Sequence, residues 1–308
     1  MTLHTELPAG QPAGMPDPAT TTPEHAPGNP AARPAEHPLS ALHPGYRLPA
    51  LRAEGLTLRY RPDRVVVHEL DLDLPAGAVS VIIGANGSGT STLLRALSRL
   101  LAPQGGRVYL DGRSVHAMRS RDLARKLGLL PQGPTTPDGI TVRDLVRRGR
   151  LPHTSLWRQW GPEDEAALQD ALVATDLLEL ADEPVDALSG GQRQRAWLAL
   201  VVAQQTPVLL LDEPTTYLDL AHQLDVLELV RALNRECGRT IVMVLHDINQ
   251  ACRYADHLVA MRSGVVLAQG HPTDVMTPQL LRDVFDVHCR VLPDPDTGRP
   301  LVVPMNRC

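Results

Sequence analysis

Long apolar runs are missing from this sequence: no segment approaches about eighteen consecutive hydrophobic residues, so no membrane-spanning helix is expected. An excess of positive charge is missing as well. The 30 Lys and Arg are outnumbered by 35 Asp and Glu, giving a formal net charge of −5. A phosphate backbone calls for a basic face, so DNA and RNA are not expected partners. Cysteine is scarce, and Cys237, Cys252, Cys289 and Cys308 form no CxxC pair, so neither a zinc site nor a disulfide framework is expected. The 12 histidines are dispersed without HExxH spacing. The start, Met1-Thr-Leu-His-Thr-Glu-Leu-Pro8, has neither a basic beginning nor an apolar run, which predicts no signal peptide and a chain that stays in the cytoplasm. No internal repeat is present.

What the chain does have is enough apolar content for a core: 43% of its 308 residues are hydrophobic, which allows one large domain or two modest ones. Eleven of the 28 prolines fall in the first 49 positions, without hydrophobic periodicity. That composition predicts a disordered tail over residues 1–48, with a polyproline-type ligand for some partner as the alternative. Two alternating stretches follow, Leu51–Tyr60 and Val65–Leu74, and predict an antiparallel β element. Tyr60 closes the first of them, either as an edge aromatic or as a flat face on which a base could stack.

Ser80–Arg95 then reads as a β-branched strand, a glycine-rich loop and a helix start, the layout of a phosphate-binding P-loop with Gly84 and Gly89 at its spacing. Glycines let successive N–H groups turn toward phosphate oxygens, the helix start adds a positive dipole end, and Ser91 offers a hydroxyl to magnesium. The motif calls for lysine after Gly89, where its ammonium reaches the β- and γ-phosphates, and this chain has Thr90. A strand-turn-helix packed tightly for steric reasons is the other reading of the same stretch.

Further on, Gly105–Gly112 predicts a hairpin, Arg121–Lys126 a helix, Leu127–Gln132 a short buried strand, and Thr141–Leu180 a helical block. Leu188-Ser-Gly-Gly-Gln-Arg-Gln-Arg195 is a polar glycine loop running into a helix over Ala196–Gln204, a second candidate anion site. Pro207-Val-Leu-Leu-Leu-Asp-Glu-Pro214 is an apolar strand delivering Asp212 and Glu213 at its carboxyl end, where open α/β sheets place their chemistry; a pair of solvated turn acids is the alternative. Thr240–Asp247 is a second such strand, carrying His246 at its end. A helix is expected over Gln223–Cys237, a hairpin over His257–Gly270, and a helix plus a Pro-rich tail over 271–308.

Taken in this order, residues 51 to about 305 resemble the ATP-binding subunit of an ABC transporter, carried by Leu188-Ser-Gly-Gly-Gln192 and Val208-Leu-Leu-Leu-Asp-Glu-Pro214. Glu213–His222, Val244–Gln250 and Pro293–Pro300 are similar to importers of ferric siderophores of the ferric dicitrate and enterobactin type. The resemblance implies an α/β fold: a P-loop NTPase core with a parallel sheet, an antiparallel β subdomain and an inserted helical subdomain over about 133–187, all within an ATP-binding domain spanning 49–308. It implies ATP and Mg2+ as ligands. Tyr60 would stack on adenine; Gly84, Ala85, Asn86, Gly87, Ser88, Gly89, Thr90, Ser91 and Thr92 would wrap the triphosphate. Ser91, Gln132 and Asp212 would serve the magnesium, Gln132 would also sense the attacking water as a catalytic residue, Glu213 would be the general base, and His246 would meet the γ-phosphate. Ser189, Gly190, Gly191 and Gln192 would meet the nucleotide held by a second copy in an ATP-sandwich homodimer, and Asp219 would connect the two sites. The implied partners are a membrane permease, reached through the helical block, and indirectly a substrate-binding protein, with the subunit peripheral on the cytoplasmic side of the cell membrane. A nucleotide-binding regulatory subunit with little turnover is the rival favoured by Thr90, and haem or cobalamin importers use similar subunits. DNA-repair and translation-factor relatives are disfavoured by the acidic charge and the lack of a second cassette.

Overall fold

The structure, a computed structural model, describes residues 51–61, 64–154 and 159–307; the tail expected over 1–48, and Cys308, lie outside the described residues. In chain order the strands and helices are β1 (Leu51–Arg61), β2 (Arg64–Leu74), β3 (Val79–Gly84), α1 (Thr90–Leu97), β4 (Gly105–Leu110), β5 (Arg113–Ser114), α2 (Ser120–Ala124) and β6 (Leu127–Leu130). Next come α3 (Val142–Arg147), α4 (Pro162–Ala174), α5 (Gly190–Ala203), β7 (Val208–Asp212), α6 (Leu220–Cys237), β8 (Thr240–Val244) and α7 (Ile248–Tyr254). The chain continues through β9 (His257–Arg262), β10 (Val265–Gly270), α8 (Pro272–Val275), α9 (Pro278–Phe285), β11 (Val287–Pro293) and β12 (Pro300–Arg307).

Six strands form one sheet in the order β10-β9-β3-β8-β7-β6, parallel from β9 to β6 with β10 as an antiparallel edge. A second, antiparallel sheet has the order β2-β1-β4-β5. The parallel strands β3, β7 and β8 are buried at every position, because both faces of their sheet are covered. Their alternation still shows, divided between two cores. Val81, Leu209, Leu211, Ile241 and Met243 face a core shared with α3–α7 and α9. Ile82, Val208, Leu210, Val242 and Val244 face a second core shared with α1 and the antiparallel sheet. The helix after β3 therefore packs on one face and those after β7 and β8 on the other, which opens a crevice at the carboxyl ends of these strands.

Three expectations change in detail. α5 begins at Gly190 rather than Ala196, because Ser189 and Gln192 form a reciprocal capping box that satisfies the first N–H groups despite the glycines. α6 begins at Leu220 rather than Gln223, since the Asp219 carboxylate accepts the His222 N–H and starts the helix earlier. The Pro-rich end is a hairpin: β11 and β12 pair from Val287↔Arg307 to Pro293↔Pro300. Its prolines sit at strand ends and beside a register shift at Cys289↔Pro304, where a missing N–H breaks no ladder. The turn is closed by Asp294, whose carboxylate accepts the N–H groups of Asp296 and Thr297, and by Gly298 at φ 68°.

Candidate active site

Parallel register brings the site together. Ile82 pairs with Val244, Asp212 with Val244, and Leu130 with Leu211. The segments leaving β3, β6, β7 and β8, which carry Gly84–Thr92, Gln132, Asp212–Glu213 and His246, therefore leave one edge of the sheet together.

The loop after β3 is shaped by glycine. A Cβ on Gly84 would run into Ser88 Oγ and the Met261 carbonyl. Gly87 and Gly89 hold φ of 81° and 99°, which side chains disfavour. Ser88 donates its N–H to the Ala85 carbonyl, and Gly264 at the β9–β10 turn donates its N–H to the Ser88 carbonyl, fastening the loop from outside. α1 then starts at Thr90, with Gly89 as its N-cap, no side chain capping it and no acid in its first turn. Its first N–H groups face outward with the positive end of the helix dipole. The Ser88 hydroxyl is buried and has no hydrogen-bond partner among the described residues. An orphaned buried hydroxyl beside uncapped N–H groups fits an anion's oxygens.

Ser91 donates its hydroxyl to Asp212 Oδ1 at 3.0 Å. Burial raises the Asp212 carboxyl above the usual carboxylate range, the Ser91 hydrogen bond opposes this, Glu213 adds to it, and Arg95 and the Gln132 N–H oppose it. The two oxygens form a hard-donor pair of the kind magnesium takes. Next along, Glu213 is buried and held at φ 52°, with its Oε1 2.7 Å from His246 Nε2. Its Oε2 accepts the Thr216 hydroxyl at 3.0 Å. Both carboxylate oxygens are thus aimed by partners.

Tyr60 is 52% exposed and lies alongside α1: its hydroxyl accepts from the Thr92 hydroxyl at 3.3 Å and from Arg95 Nη1 at 3.5 Å. Ser189–Gln192 lies elsewhere, at the start of α5, and no hydrogen bond joins it to residues 84–92 among the described residues. Arg193 holds the preceding turn by donating to the carbonyls of Val185, Asp186 and Leu188. Gln194 reaches the Pro214 carbonyl, one residue past Glu213. Asp219 caps α6, and the His222 N–H and side chain depress its carboxyl. It is flanked by Tyr217 and Leu220, exposed at 84% and 69%.

Sequence reasoning missed three contacts. Thr216, which orients Glu213, carried no signal beyond its nearness. Arg95 stands four residues after Ser91 and hence on the same helix face, a legible signal. The Gln250–Gln223 contact at 2.7 Å, continued from Gln223 to the Leu218 carbonyl at 3.0 Å, ties the start of α7 to the loop before Asp219. It joins residues far apart in the chain and left no trace in the sequence.

A phosphate-binding loop, a hydroxyl–carboxylate pair and a glutamate–histidine pair at one sheet edge define a P-loop nucleotide-binding cassette. Comparison narrows the class. The family described as "ABC transporter" matches residues 67–216. The ferric enterobactin transport ATP-binding protein of Escherichia coli (strain K12) is 52% identical over 257 residues, 83% of this chain and 94% of that protein. A probable siderophore transport system ATP-binding protein of Bacillus subtilis (strain 168) is 50% identical over 258 residues, 84% and 94% of the two chains. A bacterial ABC transporter cassette solved as a dimer aligns with a TM-score of 0.63 and 27% identity over 72% of this chain and 98% of its own. The same cassette is also solved as a dimer in a post-hydrolysis state with ADP and Pi, at a TM-score of 0.63 and 26% identity, with the same shares covered. This chain belongs to the ABC transporter family, as one of its ATP-binding cassettes.

Proposed function

We propose that the chain is the ATP-binding subunit of an importer of iron(III)–siderophore chelates, hydrolysing ATP between two copies of itself beneath a membrane permease. The observation that carries the ATPase reading is the Glu213–His246 pair beside the Ser91–Asp212 pair at the edge where the uncapped α1 begins. The siderophore cargo is supported by the named roles of relatives at about half identity over most of the chain.

In this reading the α1 N-terminus and the loop N–H groups hold the β- and γ-phosphates, and the Ser88 hydroxyl gains the partner it lacks. Ser91 and Asp212 would hold Mg2+, with Gln132 alongside, and the ion would supply charge neutralisation. Glu213 takes the proton of the attacking water, and His246 holds Glu213 and contacts the γ-phosphate. Catalysis of this kind is positioning and charge stabilisation, with general-base assistance worth about 10² to 10⁴ in rate. Ser189–Gln192 of the second copy completes the site, and Tyr60 receives the adenine. The cassette sits peripherally at the membrane; among the described residues no helix is long and apolar enough to cross it.

Thr90 favours a second reading, a regulatory cassette that closes on ATP with little turnover. Mg2+-dependent ATP turnover with the permease separates the two, comparing the native chain, Thr90→Lys and Glu213→Gln. The importer reading expects turnover that Glu213→Gln lowers by about 10² to 10⁴. Negligible turnover in both the native chain and Thr90→Lys sinks it in favour of the regulatory one.

A further inference from the structure

Position 90 carries no charge, so the polyphosphate site lacks the ammonium its loop is built around. Residues near α1 show where a replacement stands. Arg95 is four residues beyond Ser91, so its Cα lies on the same face, about 7.5 Å below Thr90 along the axis. Side chains on a helix lean toward its N-terminus, and a long guanidinium stem can climb that turn. The structure catches it doing so: Arg95 Nη1 lies 3.5 Å from the Tyr60 hydroxyl, the same oxygen that receives the Thr92 hydroxyl at 3.3 Å. The guanidinium thus shares a hydrogen-bond acceptor with Thr92, a residue of the first helical turn. It is not committed there. Arg95 is exposed, the contact with Tyr60 is long, and among the described residues no carboxylate pairs with it in an ion pair.

We propose that Arg95 supplies the positive charge to the nucleotide's phosphates that Thr90 does not. Released from Tyr60 when the adenine stacks there, the guanidinium turns along α1 toward the phosphate chain and engages it by paired N–H donors, a geometry suited to phosphate oxygens. The inference rests on the nucleotide-binding reading above, and it explains how a loop without lysine still holds a triphosphate.

The test is equilibrium binding of MgATP and AMP to the full chain, for the native protein and for Arg95→Gln, Arg95→Lys, Thr90→Lys and the double variant Arg95→Gln/Thr90→Lys. Arg95→Gln is expected to weaken MgATP about tenfold or more while changing AMP about threefold or less, as a charged contact to the outer phosphates requires. Arg95→Lys should retain part of the affinity, keeping the charge but not the paired donors. Thr90→Lys should restore MgATP binding in the Arg95→Gln background and add little in the native one, the non-additivity expected of two groups filling one role. Equal losses for MgATP and AMP would show Arg95 acting only through Tyr60 and the base, and would overturn the inference. So would equal gains from Thr90→Lys in both backgrounds. A native chain that binds MgATP no better than Arg95→Gln does also overturns it, while a native chain that binds no nucleotide at all sinks the nucleotide-binding reading itself. Should Arg95→Gln not fold, Thr90→Lys alone decides: a small gain supports the inference and a gain of about a hundredfold refutes it.

Discussion

At the scale of single residues, the surroundings of each polar group separate reactive groups from inert ones. Glu213 is buried yet has both oxygens occupied, by His246 and Thr216, so its direction is fixed before any water arrives. Cys252 is the opposite case. Burial pushes its thiol up to about 12, with only Arg299 pulling it back. At pH 8 only about one molecule in ten thousand would then carry the thiolate, the form that reacts. Iodoacetamide at pH 8 is therefore expected to leave Cys252 unmodified in the folded protein and to label it after unfolding, read by mass spectrometry of its peptide. Raising the pH toward the thiol's own range should open the reaction only as the thiolate forms or the fold gives way. Labelling of the native protein at pH 8 as fast as that of the unfolded chain would contradict the burial.

At the scale of elements, a buried ion pair inside the helical block fastens it to the end of α5. Arg150 lies just after α3, and its Nε donates to Asp164 Oδ1 at 2.9 Å with both side chains almost fully buried. Its Nη1 continues to the Ala203 carbonyl at the end of α5 and to Gln205 Oε1. Asp164 also accepts the Gly161 N–H and so starts α4. Removing one partner leaves a buried charge uncompensated, so Asp164→Ala is expected to cost about 3–5 kcal/mol in urea unfolding. A loss of less than about 1 kcal/mol would mean the pair is open to water. The last hairpin is held in a similar way. The Asn249 side chain makes two hydrogen bonds to the backbone of Val302, and Arg299 donates to the carbonyls of Cys252 and Ala255, so β12 braces the helix that follows His246.

At the scale of the whole molecule, the separation between Ser189–Gln192 and residues 84–92 matters most. Among the described residues no hydrogen bond joins the glycine-rich start of α5 to residues 84–92, and a Cβ on Gly190 would meet open space. Tyr217 and Leu220 stand exposed on either side of Asp219. A second copy of the chain would both cover these side chains and bring the α5 start to a nucleotide. Glu213→Gln in a Thr90→Lys background is therefore expected to accumulate as a dimer with MgATP on sizing, and to return to monomer with ADP. A protein that stays monomeric under saturating MgATP would rule out the shared site.

Local chemistry was enough to read much of this protein from its sequence. The glycine spacing from Gly84 to Gly89, the apolar runs ending at Asp212 and His246, and the polar turn at Ser189 each carry a pattern within a few residues, because backbone conformation and strand burial are set by near neighbours. The caps that start α5 and α6 were equally local, yet glycines and an early aspartate hid the true beginnings of those helices. The Pro-rich end escaped because composition suggests a tail, whereas pairing with a partner strand and docking on α7 decide that it is a hairpin. Only the tertiary structure could place Thr216 on Glu213, Arg95 beside Tyr60, Gln250 on Gln223 and Arg150 on Asp164. Apart from the first of these, each contact joins residues from 14 to 35 positions apart. Separations of that kind are closed by the packing of sheets and helices, and no local pattern records them.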